Sequence, residues 1–402
     1  MKKEFIVLSA ALVFGLFLSS CEKEVENPEE EVETSARITA NISENTRWSS
    51  GTVYILGGRI TVLDGATLTI EPGTIIKGEA GTQANATALL VARGGKLIAE
   101  GTPTAPIIFT TIADEIQPSD IVAGNFGSPN LDPDVNGLWG GVIVLGKAPI
   151  SVSNSSGDVS EVQIEGIPTS DQNGLYGGNV ANDNSGILKY ISIRHGGTNI
   201  GAGNEINGLT LGGVGSGTVI ENIEVVANQD DGIEWFGGTV NVKNALVWNV
   251  GDDAIDTDQS WAGTLDNFVI IAPEDHNFEL DGPEGSFMAG HIIKNGTVIA
   301  NDSAAGRFSN DLINLDDNSR VQLQNIFFTG ISEGQKINRV VFNTGQVSFE
   351  GIQLKVAADN LASHVNGTVP AGVTAVTTPT VGANISVFGW TWAAKAGKLS
   401  GL

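Results

Sequence analysis

The chain has 402 residues, with 46 acidic against 21 basic side chains and a formal net charge of −25 at pH 7. So large an acidic excess argues against nucleic acid and against anionic membrane faces as partners. Glycine at 52 positions, beside abundant Val, Ile, Thr and Asn, reads as many short strands with tight turns, and no amphipathic helix of ordinary length stands out.

The N-terminus reads as a targeting segment. Met1-Lys-Lys-Glu4 is a basic start, and Phe5 to Leu18 is an apolar stretch of signal-peptide length, short for a membrane span. Residues 1–20 are therefore expected to be a signal peptide. Leu18-Ser-Ser-Cys21 resembles the bacterial lipobox, whose cysteine becomes the lipidated first residue; an ordinary cleavage site beside a chance cysteine is the alternative. Cys21 is the only cysteine, so neither a disulfide framework nor a cysteine-based metal site is available. An acyl chain there would tether the protein without a spanning helix. Glu22 to Glu33 holds seven glutamates around Pro28 and cannot fold alone, so residues 21–36 are expected to form a solvated tether. An acidic run directly after such a cysteine resembles the surface-export signal of Bacteroidota-type lipoproteins. It implies a lipid-anchored protein on the outer membrane, exposed at the cell surface.

From residue 37 the chain repeats. Gly65-Ala-Thr-Leu-Thr-Ile-Glu-Pro-Gly-Thr-Ile-Ile76 matches Gly95–Gly101 followed by Pro106-Ile-Ile-Phe109, and Trp139–Leu145 is a third pass. Polar inserts near 112–136 and 151–185 interrupt the pattern; inserts in a repeat commonly build its working surface. The second half repeats more tightly, with strand-like runs that carry Asn222, Asn244, Asn267, Asn295 and Asn325. The Asn spacing, in the low twenties or lengthened by a loop, suits one coil of a right-handed parallel β-helix. Strands of successive coils stack about 4.8 Å apart, so equivalent residues form columns. Stacked asparagines could bond one another in a turn, with Ile223, Ala245, Phe268 and Ile326 as an apolar column beside them. The expected fold is thus an all-β, right-handed parallel β-helix over residues 37–402. The aromatic segment Phe388–Leu399 is expected to cap the last coil.

Coil superposition also orders the acidic segments. Ile233-Glu-Trp-Phe236, Ile255-Asp-Thr-Asp258, Phe278-Glu-Leu-Asp281 and Ile313-Asn-Leu-Asp316 are equivalent runs. Alternation along a strand puts Ile233, Ile255, Phe278 and Ile313 inside. Glu234, Asp256, Glu279 and Asn314 then form one outward column, and Phe236, Asp258, Asp281 and Asp316 the next. Clustered carboxylates suit Ca²⁺, which takes six to eight oxygens. The candidate ligands are Glu234, Asp256, Asp258, Glu279, Asp281 and Asp316; a salt-screened solvated face is the alternative. Asp230 and Asp231, before Gly232, are turn-capping candidates, with a role as ligands the alternative. Trp235, Trp248 and Trp261 lie close to these coils, and outward rings at Trp235, Phe236 and Trp261 could stack on a sugar, packing being the other reading.

Four segments, Ile193-Arg-His-Gly-Gly197, Asn204–Thr218, Asp230–Val240 and Gly251–Asp256, together resemble a family of Bacteroidota β-helix surface lipoproteins, with a wider likeness to pectate lyases and polygalacturonases. The resemblance covers about residues 50–402. It implies a binding protein for a glycan or nutrient, or a partner of a TonB-dependent outer-membrane receptor; a Ca²⁺-dependent polysaccharide lyase or glycoside hydrolase is the alternative. Asp252-Asp253 looks like the acid pair of polygalacturonases, but their accompanying elements do not follow. The catalytic candidates are Asp253, Asp256, Arg194 and His195, with Lys294 and Arg307 as further bases. For His195, a turn residue bonded to the backbone is the competing role.

Overall fold

The computed structural model describes residues 34–200, 206–340 and 346–402. The signal segment, Cys21 and most of the tether lie outside the described residues. The chain from Thr34 winds as a solenoid of parallel strands. Among the described residues fifteen strands form one long sheet and eight short ones a second, with the chain passing from one to the other in each coil. The first described strand, Thr34–Ile38, pairs in parallel with Thr52–Leu56, so strand pairing of the solenoid takes in residues 34–36, ahead of the expected boundary at 37.

In the N-terminal coils the long sheet takes two separate strands per coil, such as Lys96–Glu100 and Ile107–Thr111. The single strand Gly186–Arg194 pairs with both. From there on the two are fused around one residue with positive φ: Tyr190, Asn222, Asn244, Asn267, Asn295, Asn325 and Gly351. Asparagine tolerates the left-handed region better than other residues with a side chain, which explains its recurrence. The amide ladder is real but interrupted. Asn244 Nδ2 donates to Asn222 Oδ1 (3.0 Å), Asn267 Nδ2 to Asn244 Oδ1 (2.8 Å), and Asn325 Nδ2 to Asn295 Oδ1 (3.3 Å). Between Asn267 and Asn295 the ladder breaks: Asn295 donates to Asp266, and Asn267 Oδ1 accepts the backbone N–H of Asn384.

The interior is one continuous apolar core. The apolar column is in register as Ile223, Ala245, Phe268, Gly296, Ile326. Gly296 belongs there because a Cβ would lie 1.9 Å from the Phe268 ring, which fills that rung itself.

Both inserts leave the sheets and fold over the coil. One carries the short helix Pro118–Ala123. The other forms two hairpins, Val152–Asn154 with Gly157–Val159 and Val162–Gln163 with Leu175–Tyr176. The second insert buries an outward apolar patch of the short sheet, Leu90, Ile143, Leu145 and Phe236, beneath Ile150, Ile164, Ile167 and Tyr176. The C-terminal segment does not cap the last coil. Phe388, Trp392 and Ala393 lie on the flank of the middle coils, against Val226, Leu246, Trp248, Val269 and Ile271. Those residues give the long sheet an outward apolar stripe that must be covered, and this need outranks protection of the end.

Candidate functional site

The short sheet carries the acidic columns on its outward face. Its register runs Leu90, Ile143, Thr210, Glu234, Asp256, Glu279, Asn314. The column is apolar under the hydrophobic part of the second insert and acidic beyond it, where the insert's Glu165 comes near Glu234. Ile233, Ile255, Phe278 and Ile313 point inward as expected. Phe236 pairs with Asp258 in the neighbouring outward column. A third column lies three residues before the middle one: Asn207, Asp231, Asp253, His276 and Asp311. There each carboxylate caps the backbone of the next coil. Asp253 N–H donates to Asp231 Oδ1 (2.9 Å), His276 N–H to Asp253 Oδ1 (2.6 Å), and Lys336 N–H to Asp311 Oδ1 (3.1 Å).

The three columns make a carboxylate trough. Carboxylate oxygens of Asp231, Glu234 and Asp256 lie within 4.8 Å of one another, as do those of Asp230, Asp231 and Asp252. Asp253 and Asp275 form a third group with His276, whose Nδ1 is 2.8 Å from Asp253 and Nε2 3.3 Å from Asp275. That imidazole bridges two acids. Burial, reinforced by neighbouring acids, holds the carboxyls of Asp231, Glu234 and Asp256 well above their usual range. Burial and the neighbouring Glu279 push Asp253 up to about 10. Burial and Asp281 take Asp258 to about 8. Burial raises Asp281 to about 7, with Glu279 adding to it, and Asp252 to about 6, with Asp275 adding to it. One rung apart at an effective dielectric near 20, two ionised carboxylates repel by about 3 kcal/mol.

The long sheet shows that the fold does not impose this crowding. One outward column there reads Glu100, Lys189, Glu221, Lys243, Asp266, Lys294, Gln324, Glu350. Signs alternate rung by rung over six positions, with Lys189–Glu221 at 3.7 Å and Lys294–Asp266 at 3.6 Å. The same solenoid balances charge on one face and stacks like charge on the other.

The donor set of the trough fits a hard divalent cation. Asp256 Oδ1 is buried without a hydrogen-bond partner, and so is Asn207 Oδ1, whose amide donates to Glu234. Asp231, Glu234 and Asp256, with Asn207 beside them, are the residues that could hold such an ion. Of the other expected ligands, Asp258, Glu279 and Asp281 belong to the same charge cluster. Asp316 borders the same cluster through Asp281 and is paired with Arg339 (3.0 Å). Asp231 caps the next coil's backbone, as the turn-cap reading had it, and also faces the other acids; Asn207 was not singled out. Their signal was in the sequence all the same: Asn207-Gly-Leu, Asp231-Gly-Ile, Asp253-Ala-Ile, His276-Asn-Phe and Asp311-Leu-Ile superpose on the coil repeat.

Several expected site residues lie elsewhere. Trp235 and Trp261 are inside the solenoid, stacked at 4.5 Å, and Trp261 Nε1 donates to the Val240 carbonyl (2.9 Å). Alternation already placed Trp235 in phase with Ile233, so neither ring can meet a sugar. Phe236 does point outward, but Tyr176 of the second insert covers it at 6.0 Å. Trp248 lies under Trp392. Asp253 and Asp256 are in the trough, whereas Arg194 and His195 are on the long sheet, fully buried under the C-terminal segment. Arg194 faces Glu224 at 3.7 Å and donates through Nε to Ser192. His195 has φ 58° at a turn, and its Nδ1 meets the Val135 carbonyl. Both are structural. Lys294 is bound in the alternating column, and Arg307 contacts Glu274 (3.2 Å) and the Val250 carbonyl (3.0 Å).

Fold and site together define an all-β parallel β-helix with a carboxylate trough on its short-strand sheet. A family model described as a pectate-lyase-like β-helix domain matches residues 40–395, and the chain belongs to that family. No curated protein and no solved structure matches it.

Proposed function

We propose that this protein is a lipid-anchored β-helix of the outer-membrane surface whose work is binding, through the carboxylate trough loaded with a divalent cation such as Ca²⁺. The carrying observation is the contrast between the two outward faces: charge alternates on the long sheet and stacks on the short one. A cation held by Asp231, Glu234 and Asp256 would offset the repulsion and present open coordination positions to an oxygen-rich ligand. The ligand classes this favours are a glycan or nutrient bridged through the ion, or an acidic loop of a TonB-dependent receptor. Cys21 would supply the anchor. The test is Ca²⁺ titration of the purified full-length protein, followed by pull-down from detergent-solubilised outer membrane with and without chelator. Calcium binding and cation-dependent capture of a glycan or a receptor barrel support the reading; a protein that ignores Ca²⁺ and captures neither refutes it.

The second reading is a Ca²⁺-dependent polysaccharide lyase or glycoside hydrolase. It is favoured by Asp252 at about 6 and Asp281 at about 7, carboxyls raised to where a general acid works near neutral pH. Turnover of an acidic polysaccharide that Asp256→Ala abolishes would select it over binding alone.

A further inference from the structure

The C-terminal segment retraces one column of the long sheet. That column is in register as Glu224, Leu246, Val269, Thr297, Phe327 and Gln353. The segment starts at its far end, where Thr380 N–H donates to Gln353 Oε1 (2.8 Å) and Gln353 Nε2 donates to Thr380 Oγ1 (2.6 Å). It then moves back along the solenoid. Ala383 N–H donates to Thr297 Oγ1 (2.9 Å), and Asn384 N–H to Asn267 Oδ1 (2.6 Å) at the break in the ladder. It ends with Ala393 N–H on Glu224 Oε1 (3.0 Å) and Trp392 over Arg194 (5.0 Å). Lys398 adds an ion pair to Asp302 (2.5 Å). Five rungs at about 4.8 Å each put the span near 24 Å, along the direction in which coils would separate.

The acidic rungs lie within this span. Glu234 follows Glu224 by one strand, as Asp256 follows Leu246 and Glu279 follows Val269; the neutral Asn314 follows Thr297 after the small hairpin Asn301–Phe308. Repulsion between stacked carboxylates acts along the same axis. We propose that the segment 380–398 is a clasp that holds the trough-bearing coils in register from the opposite flank, so that the spacing of the carboxylates depends on it. This stands whether or not the trough binds a cation.

The test is hydrogen exchange on the full-length chain, without divalent cation, comparing wild type with the variant Thr297→Val/Gln353→Leu/Trp392→Ala. Among the described residues no hydrogen bond, ion pair or ring contact joins the short-sheet strands Ile233–Phe236 and Ile255–Asp258 to the segment, whose apolar packing is on the long sheet. These two strands are expected to exchange at least tenfold faster, while Arg59–Val62 and Ala88–Val91 on the same sheet keep their protection. A segment that merely covers an apolar stripe would expose only the long-sheet strands beneath it, Val219–Val226 and Val242–Trp248. Unchanged protection at Ile233–Phe236, or an equal loss throughout the solenoid, overturns the proposal. The chain shortened to residue 379 is the second variant, judged by the same regional pattern.

Discussion

Replacing Asp256 by Asn should stabilise the cation-free protein at pH 8. Asp256 lies between Glu234 and Glu279, one rung from each. If ionised, it repels each ionised neighbour by about 3 kcal/mol at an effective dielectric near 20. If it holds its proton instead, doing so about four pH units above the ordinary value costs up to about 6 kcal/mol at about 1.4 per unit. Asparagine removes either cost at nearly unchanged volume, so a gain of about 3 kcal/mol is expected. For the compact unit Glu33–Leu402, an unfolding entropy of about 2.1 cal/mol/K per residue turns that into roughly 4 °C in melting temperature. At pH 4 the wild-type carboxyl is neutral in the fold, like the amide of the variant, and most of the gain should disappear. The assay is thermal unfolding with chelator at the two pH values. With Ca²⁺ the sign should reverse, because the variant has lost a ligand and the ion stabilises only the native form that binds it. A lower midpoint for Asp256→Asn at pH 8 with chelator would refute the claim that like charge is stacked here at a cost.

The wild-type protein without cation should lose stability as pH rises from about 4 to about 8. Carboxyls raised in the fold, Asp252 to about 6, Asp281 to about 7 and Asp258 to about 8, keep protons that the unfolded chain releases, so the unfolded state gains in this window; Ca²⁺ should flatten the slope in the same melts. Trp261→Ala should cost about 3–5 kcal/mol by leaving a void against Trp235, seen in denaturant unfolding, while Ca²⁺ affinity at pH 8 stays within a few-fold; a specific loss of ligand binding in folded protein would return the ring to the binding face. Arg194→Met should cost about 3–5 kcal/mol, since it strands the buried Glu224 carboxylate, and should leave any turnover per folded molecule unchanged. Cys21→Ala should release the protein from the membrane fraction, checked by fractionation and by loss of metabolic acyl label.

How far the site was legible depended on what kind of neighbour decides each residue. Glu234, Asp256 and Glu279 could be aligned from sequence because rungs of a coil are fixed by repeat and alternation alone. Trp235 could have been kept from the ligand set by the same alternation, since it is in phase with Ile233. Phe236 could not: its direction follows from the strand, but its cover is Tyr176, sixty residues earlier and in an insert with no repeat. Arg194 and His195 form a motif in the sequence, yet only folding shows that Trp392 closes over them from nearly two hundred residues away.

The sequence by itself determined the winding, the inward and outward faces, the left-handed Asn positions and the like-charged columns, because all of these follow from local periodicity and from which backbone angles a side chain allows. Only the tertiary structure decided which outward faces stay open. The second insert covers Phe236 and the apolar rungs and borders the acidic ones, bringing Glu165 near Glu234 and Asp258, and the C-terminal segment turns back along the flank instead of closing the end. Covering is a matter of long-range contact between non-repeating segments, and no period in the chain encodes it.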